Sequence, residues 1–237
     1  MSRLRLFPLN AVLFPGAALN LHIFEARYKQ MISECLESGE GFGVVLIAEG
    51  TEAGDPNVTP HAVGSVAEIV DVQSLPFGRY YISTVGRQRF RITEILNREP
   101  YLTVEAELLD DDDVAAEEEL RDLAERVRAL FTEYLDLVVE FSGQRAAIVL
   151  PDDARGASYL IGDTLQIAEA VKQRLLELHT TRERLAAERD FLEPLLPQLR
   201  RLLERRRRER EARRERGEDL SYRGDQEKFF GKYFSLN

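Results

Sequence analysis

Arg89-Phe90-Arg91-Ile92-Thr93-Glu94-Ile95 and Tyr101-Leu102-Thr103-Val104-Glu105-Ala106-Glu107-Leu108-Leu109 are two runs in which apolar and polar residues alternate. Phe90 and Ile92 stand between Arg89, Arg91 and Thr93; Leu102, Val104, Ala106 and Leu108 stand between Thr103, Glu105 and Glu107. A period of two marks strands with one buried face. Asn97-Arg98-Glu99-Pro100 supplies the turn. A hairpin centred near Arg98 predicts Arg91 opposite Glu105 and Arg89 opposite Glu107, with Phe90 and Ile92 meeting Ala106 and Val104 inside. Each opposite-charge pair across strands stabilises by roughly 0.2–1 kcal/mol.

Upstream, Leu4–Leu9 and Ala17–Phe24 are short apolar runs split by the turn residues Phe14-Pro15-Gly16. Glu25–Ser38 carries Tyr28, Met31, Ile32, Cys35 and Leu36 at helical spacing, and Gly39 is placed to end that helix. Phe42–Ala48 reads as a buried strand, 49–60 as a loop, and Val63–Val72 as a further strand closed by Pro76-Phe77-Gly78. Six or so strands with a turn signal about every ten residues predict a small closed or half-closed β-barrel with one helix packed on it.

Downstream the period changes. Leu120, Leu123, Val127, Leu130, Phe131, Tyr134, Val138 and Phe141 form one helical stripe, stopped by Ser142-Gly143. Pro151-Asp152-Asp153 opens a second helix, Leu165–His179 a third, and Thr180–Glu193 a fourth that Pro194 should end. Pro197 can begin a fifth. The expected fold class is therefore α+β. A barrel spans 1–112, a helical region with a long charged last helix spans 115–216, and a polar linker with an aromatic tail spans 217–237.

The chain has 32 basic and 42 acidic residues, a net charge of −10. Residues 200–216 hold ten Arg and four Glu, a net of +6, so the remainder carries −16. An acidic body disfavours duplex nucleic acid as the main partner. Glu204 and Arg208, and Glu209 and Arg213, stand four apart with Glu first, which predicts a self-paired, solvated helix projecting from the body. One cysteine, Cys35, allows no intrachain disulfide and fits a reducing, cytoplasmic setting. Pro8 and Pro15 break the N-terminal apolar stretch, so no signal peptide is expected, and no run is long enough to span a membrane.

Leu6-Phe7-Pro8-Leu9, Val12-Leu13-Phe14-Pro15-Gly16 and Leu21-His22-Ile23-Phe24-Glu25-Ala26-Arg27-Tyr28 closely resemble the opening signature of the N-terminal substrate-binding domain of the Lon protease family. Gly64-Ser65-Val66-Ala67-Glu68-Ile69, Val85-Gly86-Arg87-Gln88-Arg89-Phe90-Arg91-Ile92, Lys172-Gln173-Arg174-Leu175-Leu176-Glu177 and Arg184-Leu185 extend the likeness over roughly residues 4–186. The resemblance implies a PUA-like barrel followed by a small helical bundle. It also implies recruitment of polypeptide substrates through exposed apolar segments, while a separate ATPase and a Ser-Lys peptidase do the work. No Gly-x-x-x-x-Gly-Lys-Ser/Thr phosphate cradle occurs in the sequence. A stand-alone, non-catalytic module without cofactor is expected, with a protease or ATPase acting in trans. The alternative is an RNA-binding protein using the PUA-like fold and the arginine-rich helix.

The residues expected to hold peptide are Pro15, Phe24, Arg27 and Tyr28, with Leu75, Phe77 and Tyr80 on the following loop. Phe229, Phe230, Tyr233 and Phe234 crowd the C-terminus and could dock on a partner or fold back into the module's own groove. His22 reads as structural, near the barrel mouth, and Cys35 as a buried small hydrophobe. His179 and Glu183 stand four apart, and His61 sits in a polar loop; neither assembles the three ligands a metal site needs. Asp110–Asp113 reads as a solvated linker rather than a calcium loop, which would need a Gly and a terminal Glu. Arg87, Arg89 and Arg91 share a strand face, and cross-strand glutamates explain them without an anion.

Overall fold

A computed structural model describes residues 2–51, 58–111, 117–143 and 148–215. Its elements are β1 (Ser2–Leu9), β2 (Ala18–Ile23), α1 (Ala26–Ser38), β3 (Phe42–Glu49), β4 (Thr59–Pro60), β5 (Val63–Leu75), β6 (Arg79–Asn97), β7 (Thr103–Leu109), α2 (Glu117–Ser142), α3 (Ala154–Thr164), α4 (Glu169–Glu177) and α5 (Thr181–Glu215). The fold is α+β, a sheet with five helices. Two compact units divide it: the described residues of 1–112, 162–164 and 169–179, and those of 113–161, 165–168 and 180 onward. Helix α4 thus groups with the sheet.

In the sheet unit, pairings run β1-β7-β6-β5-β3-β4, and β1 also pairs in parallel with β3 from Leu6↔Gly43 to Leu9↔Leu46. The circuit β1-β7-β6-β5-β3 therefore returns to β1, while β2 lies off it, antiparallel to the first half of β6. Alternation sends Leu6, Val45, Phe90, Val104 and Ala106 into one buried cluster. Helix α1 buries Tyr28, Met31, Ile32 and Cys35, and Gly39 ends it at φ 69°, its N–H donating to Cys35 O. Leu36, at the margin of that stripe, is exposed.

The expected hairpin forms, but its register is displaced by two residues. Arg91 faces Glu107 rather than Glu105, and Ile92 faces Ala106 rather than Val104. The reversal is centred near Pro100 rather than Arg98, since Asn97 faces Thr103, and two irregularities in β6, between Ile92 and Glu94 and between Ile95 and Asn97, each take up one residue, so a displacement of four at the turn is reduced to two at Arg91. A slip of two keeps every side chain on its face, so the alternation persists in both registers.

Arg89 is not on a solvated face. It is 2 % exposed and forms an ion pair with Asp111, also buried. Its guanidinium donates to the carbonyls of Leu176 (2.8 Å) and Leu178 at the end of α4. The expected solvated linker is corrected at Asp111, which joins the interior as the counter-charge of Arg89. Two more contacts fasten α4: Val12 N donates to Glu169 Oε2 (2.7 Å), and Gln173 Nε2 to Val63 O (3.0 Å). Lys172 Nζ donates to Asp163 O at 2.6 Å, and Leu175 and Leu176 are buried. The Lys-Gln-x-Leu-Leu-Glu run is thus a docking code for α4, with Gln173 also donating to Glu177 (2.7 Å).

In the helical unit, Asp153 caps α3 by accepting from Gly156 N at 2.6 Å, as its position before an apolar stripe predicts. Helix α5 corrects the expected break: it runs on through Pro194 and Pro197. A proline inside a helix costs about 3 kcal/mol, and packing offsets that cost. Leu192, Leu196 and Leu203 are buried, and Arg126–Glu193, Glu133–Arg200 and Glu140–Arg207 tie α2 to α5 at seven-residue steps on both sides of the prolines. Both partners of these pairs ascend together, so the two helices run parallel. The arginine-rich segment therefore lies along α2 as far as Arg207, rather than projecting from its start; Arg206 donates to Phe141 O and covers the Phe141 ring at 4.3 Å.

Glu188 is fully buried in this unit, and neither carboxylate oxygen has a hydrogen-bond partner. Burial pushes its pKa well above the usual carboxylate range, against the opposing field of Arg184. A raised folded pKa gives stability that is complete below the unfolded value near 4.5 and is lost as pH rises through the folded value. Glu188→Gln is isosteric with the neutral acid. Thermal unfolding across this range should show the Glu188-linked loss with rising pH in the native protein and its absence in the variant; parallel pH profiles would mean that Arg184 offsets the burial and keeps Glu188 ionised.

Candidate functional site: an aromatic ridge at one end of the sheet

The register of β2 on β6 sets His22 beside Tyr81 and Ile23 beside Tyr80. Alternation then sorts them by face. Ile23 is buried and Tyr80 half-buried, while His22 and Tyr81 point outward with ring centroids 4.6 Å apart. Phe24 continues the outward row, its ring 5.6 Å from His22 and its surface 58 % exposed. On the other flank of β6, Leu75 pairs with Arg79 and the three residues between them close the hairpin. Gly78 takes φ 65°, as a tight reversal favours, but Phe77 also takes a left-handed conformation, φ 66°, and its side chain is 87 % exposed. Bulky residues rarely adopt that conformation.

The first turn of α1 supports this end of the sheet. Arg27 Nε pairs with Glu25 at 3.0 Å and its guanidinium lies 4.5 Å from the Tyr28 ring centre. Tyr28 is buried and stacks on Phe7 at 4.0 Å. Lys29 Nζ donates to Phe77 O at 3.3 Å, which fastens the hairpin tip to α1. The result is a row of exposed rings on a base that is packed and hydrogen-bonded.

The structure brings six of the seven candidate residues to this region. Phe24 and Phe77 are on the surface, Arg27, Leu75 and Tyr80 are half-buried beneath it, and Tyr28 is core. Pro15 is at the opposite end of β2: Gly16 N donates to Gly86 O, six residues past Tyr80 along β6 and so about 20 Å away. The sequence alone does not single out Tyr81, and it gives His22 a structural place; both are exposed on the ridge. Adjacent Tyr80 and Tyr81 must point to opposite faces, but only the pairing with β2 says which faces outward. The aromatic cluster Phe229, Phe230, Tyr233 and Phe234 lies outside the described residues.

The ridge presents apolar surface and cations but no assembled nucleophile. Burial pushes the Cys35 thiol up to about 11, so it stays protonated. His61 Nδ1 lies 3.6 Å from Glu177, and among the described residues no group of three His, Cys, Asp or Glu could hold a metal ion. Arg87 is matched by Glu68 at 2.6 Å, and Arg89 is inside. No helix among the described residues is long and apolar enough to cross a membrane.

Comparison with known proteins assigns the family. Residues 3–193 match the family described as the ATP-dependent protease La (LON) substrate-binding domain, and the chain belongs to it. The crystal structure of a Lon N-terminal domain protein from Xanthomonas campestris is similar with a TM-score of 0.59 and 26 % identity, covering 79 % of this chain and 96 % of that one. The N-terminal domain of Mycobacterium avium complex Lon protease shares the fold, with a TM-score of 0.59, 17 % identity and coverage of 81 % and 98 %. Among full-length proteins, the Lon protease of Parabacteroides distasonis is 29 % identical over 181 residues and that of Anaeromyxobacter dehalogenans 25 % over 169. These alignments take in 74 % and 71 % of this chain, but only 22 % and 20 % of those proteases, so the chain spans about a fifth of their length.

Proposed function

We propose that this chain is a non-catalytic recognition module that captures apolar segments of unfolded or tagged polypeptide on the ridge formed by Phe24, His22, Tyr81 and Phe77. Arg27, Tyr28, Leu75 and Tyr80 form the base that keeps those rings in place. The closed circuit of strand pairings is read as a PUA-like barrel over 1–112, with the helical region 115–216 and the tail 217–237 as separate segments. The module serves as an adaptor in protein quality control, handing its client to a protease or ATPase in trans. A cytoplasmic setting fits the single buried thiol.

One observation carries the reading. Phe77 is a large apolar side chain held 87 % exposed in a left-handed conformation. Such a conformation costs roughly 1–3 kcal/mol and offers the fold no burial in return, and strain of this kind concentrates at binding sites. A rigid aromatic anchor of low conformational entropy suits hot-spot binding. Phe77→Gly should therefore separate stability from binding. Glycine adopts the left-handed region freely, so thermal unfolding of the variant should occur at an unchanged or higher temperature. Its affinity for a labelled unfolded apolar peptide, followed by fluorescence anisotropy, should fall about 30-fold, the size of a hot-spot loss. Retained affinity would remove Phe77 from the surface and sink the reading.

The nucleic-acid alternative loses its main support on α5. Arg200 and Arg207 are matched by Glu133 and Glu140 on α2, Arg205 by Glu209, and Arg206 by the end of α2. Part of the phosphate-binding charge expected of that helix is thus neutralised within the protein.

A further inference from the structure

Two cations at the hairpin tip, Arg79 on β6 and Lys29 reaching it from α1, make no ion pair among the described residues, in a chain with ten more acidic than basic residues. Lys29 Nζ donates to Phe77 O at 3.3 Å, and Arg79 Nε to Pro76 O at 3.1 Å. The Arg79 guanidinium lies 5.9 Å from the Phe77 ring centre. Nearby Arg27, by contrast, is matched by Glu25. Carbonyls of two successive residues therefore fix two positive charges beside the most exposed ring of the ridge. A backbone carbonyl carries only a partial charge, so each cation keeps unsatisfied attraction and spare N–H donors. Neutral apolar clients would give these charges nothing and would desolvate them in part.

We infer that the tip selects acidic–apolar peptide segments, in which an Asp or Glu stands next to the side chain that packs on Phe77, its carboxylate received by Lys29 and Arg79. This rests on the peptide-recognition reading and adds to it a rule for which client is preferred. Selectivity of this kind comes from the charge beside the anchor, while the apolar contact supplies the common part of the affinity.

Two labelled peptides with the same apolar residues, one flanked by Asp and one by Asn, test it against the full chain. At low salt the Asp peptide should bind about fivefold tighter, as two exposed charge pairs would give, and the margin should vanish at high salt. In the K29Q/R79Q variant the two peptides should bind equally at every salt concentration, whatever the affinity they share, with the thermal unfolding curve as the check of folding. K29E/R79E should reverse the preference, favouring a Lys-flanked peptide over the Asp-flanked one. Equal binding of both peptides by the native chain, or a margin that survives in K29Q/R79Q, overturns the inference and leaves the recognition reading intact. Failure of both peptides to bind overturns both.

Discussion

Arg89→Met will destabilise the sheet unit by about 3–5 kcal/mol, the cost of breaking a buried ion pair from one side. Methionine fills much of the space left by the arginine stem, so the loss is electrostatic rather than a cavity. Asp111 would remain buried without its cation, and the carbonyls of Leu176 and Leu178 would lose their donor. A cation near a helix C-terminus also meets the negative end of the helix dipole, and that contribution goes too. The loss should be local first. Hydrogen exchange should report reduced protection over Glu169–Glu177 before the sheet core around Phe90 opens, because the bonds from Arg89 to the end of α4 would be gone while those of Gln173 and Glu169 remain. Asp111→Asn in the same background should recover part of the stability by removing the stranded charge. Native protection of α4 in Arg89→Met would show that the helix docks without the arginine.

Gly64→Ala will cost about 3 kcal/mol or more, at the upper end of overpacking effects. A Cβ on Gly64 would lie 2.2 Å from the Val44 carbonyl oxygen and 2.6 Å from Val45 Cγ1. Gly64 stands directly opposite Phe90, and the Phe90 ring occupies the volume that a side chain there would need. Gly43 also faces that ring, but its Cβ would meet only side chains, Leu6 Cδ2 at 2.5 Å and Phe90 Cζ at 2.6 Å. The two glycines therefore differ in a way that double variants expose. Phe90→Leu should partly rescue Gly43→Ala and should not rescue Gly64→Ala, whose obstacle is backbone. Denaturant midpoints followed by tyrosine fluorescence measure both. Rescue of Gly64→Ala by Phe90→Leu would mean that the strand can shift away from Val44.

The alternation of Arg89–Ile95 with Tyr101–Leu109 was enough to call a hairpin and name its buried face, because Phe90, Val104 and Ala106 are interior in any register of the same parity. It could not distinguish Glu105 from Glu107 as the partner of Arg91. The place of the reversal and two bulges in β6 together decide that, and bulges respond to the curvature of the whole circuit rather than to local composition. The candidate site was legible in outline. Phe24 and Phe77 stand out as apolar residues beside turn signals, but Tyr28 beside them is core and Pro15 is about 20 Å from Tyr80 along the sheet. His22 and Tyr81 become neighbours only through pairing between positions 59 residues apart.

By itself, then, the sequence determined what depends on periodicity and local chemistry. It set the strand and helix faces, the cap at Asp153, the glycine at the end of α1, and the family signature along residues 6–28. The tertiary structure alone decided what depends on which surface covers another. It drew Arg89 and Asp111 inside beneath the end of α4, carried α5 through two prolines along α2, and set Lys29 and Arg79 on backbone carbonyls beside Phe77. A residue's spacing fixes the direction of its side chain, whereas burial, counter-charge and strain are properties of the neighbours that the folded chain brings to it.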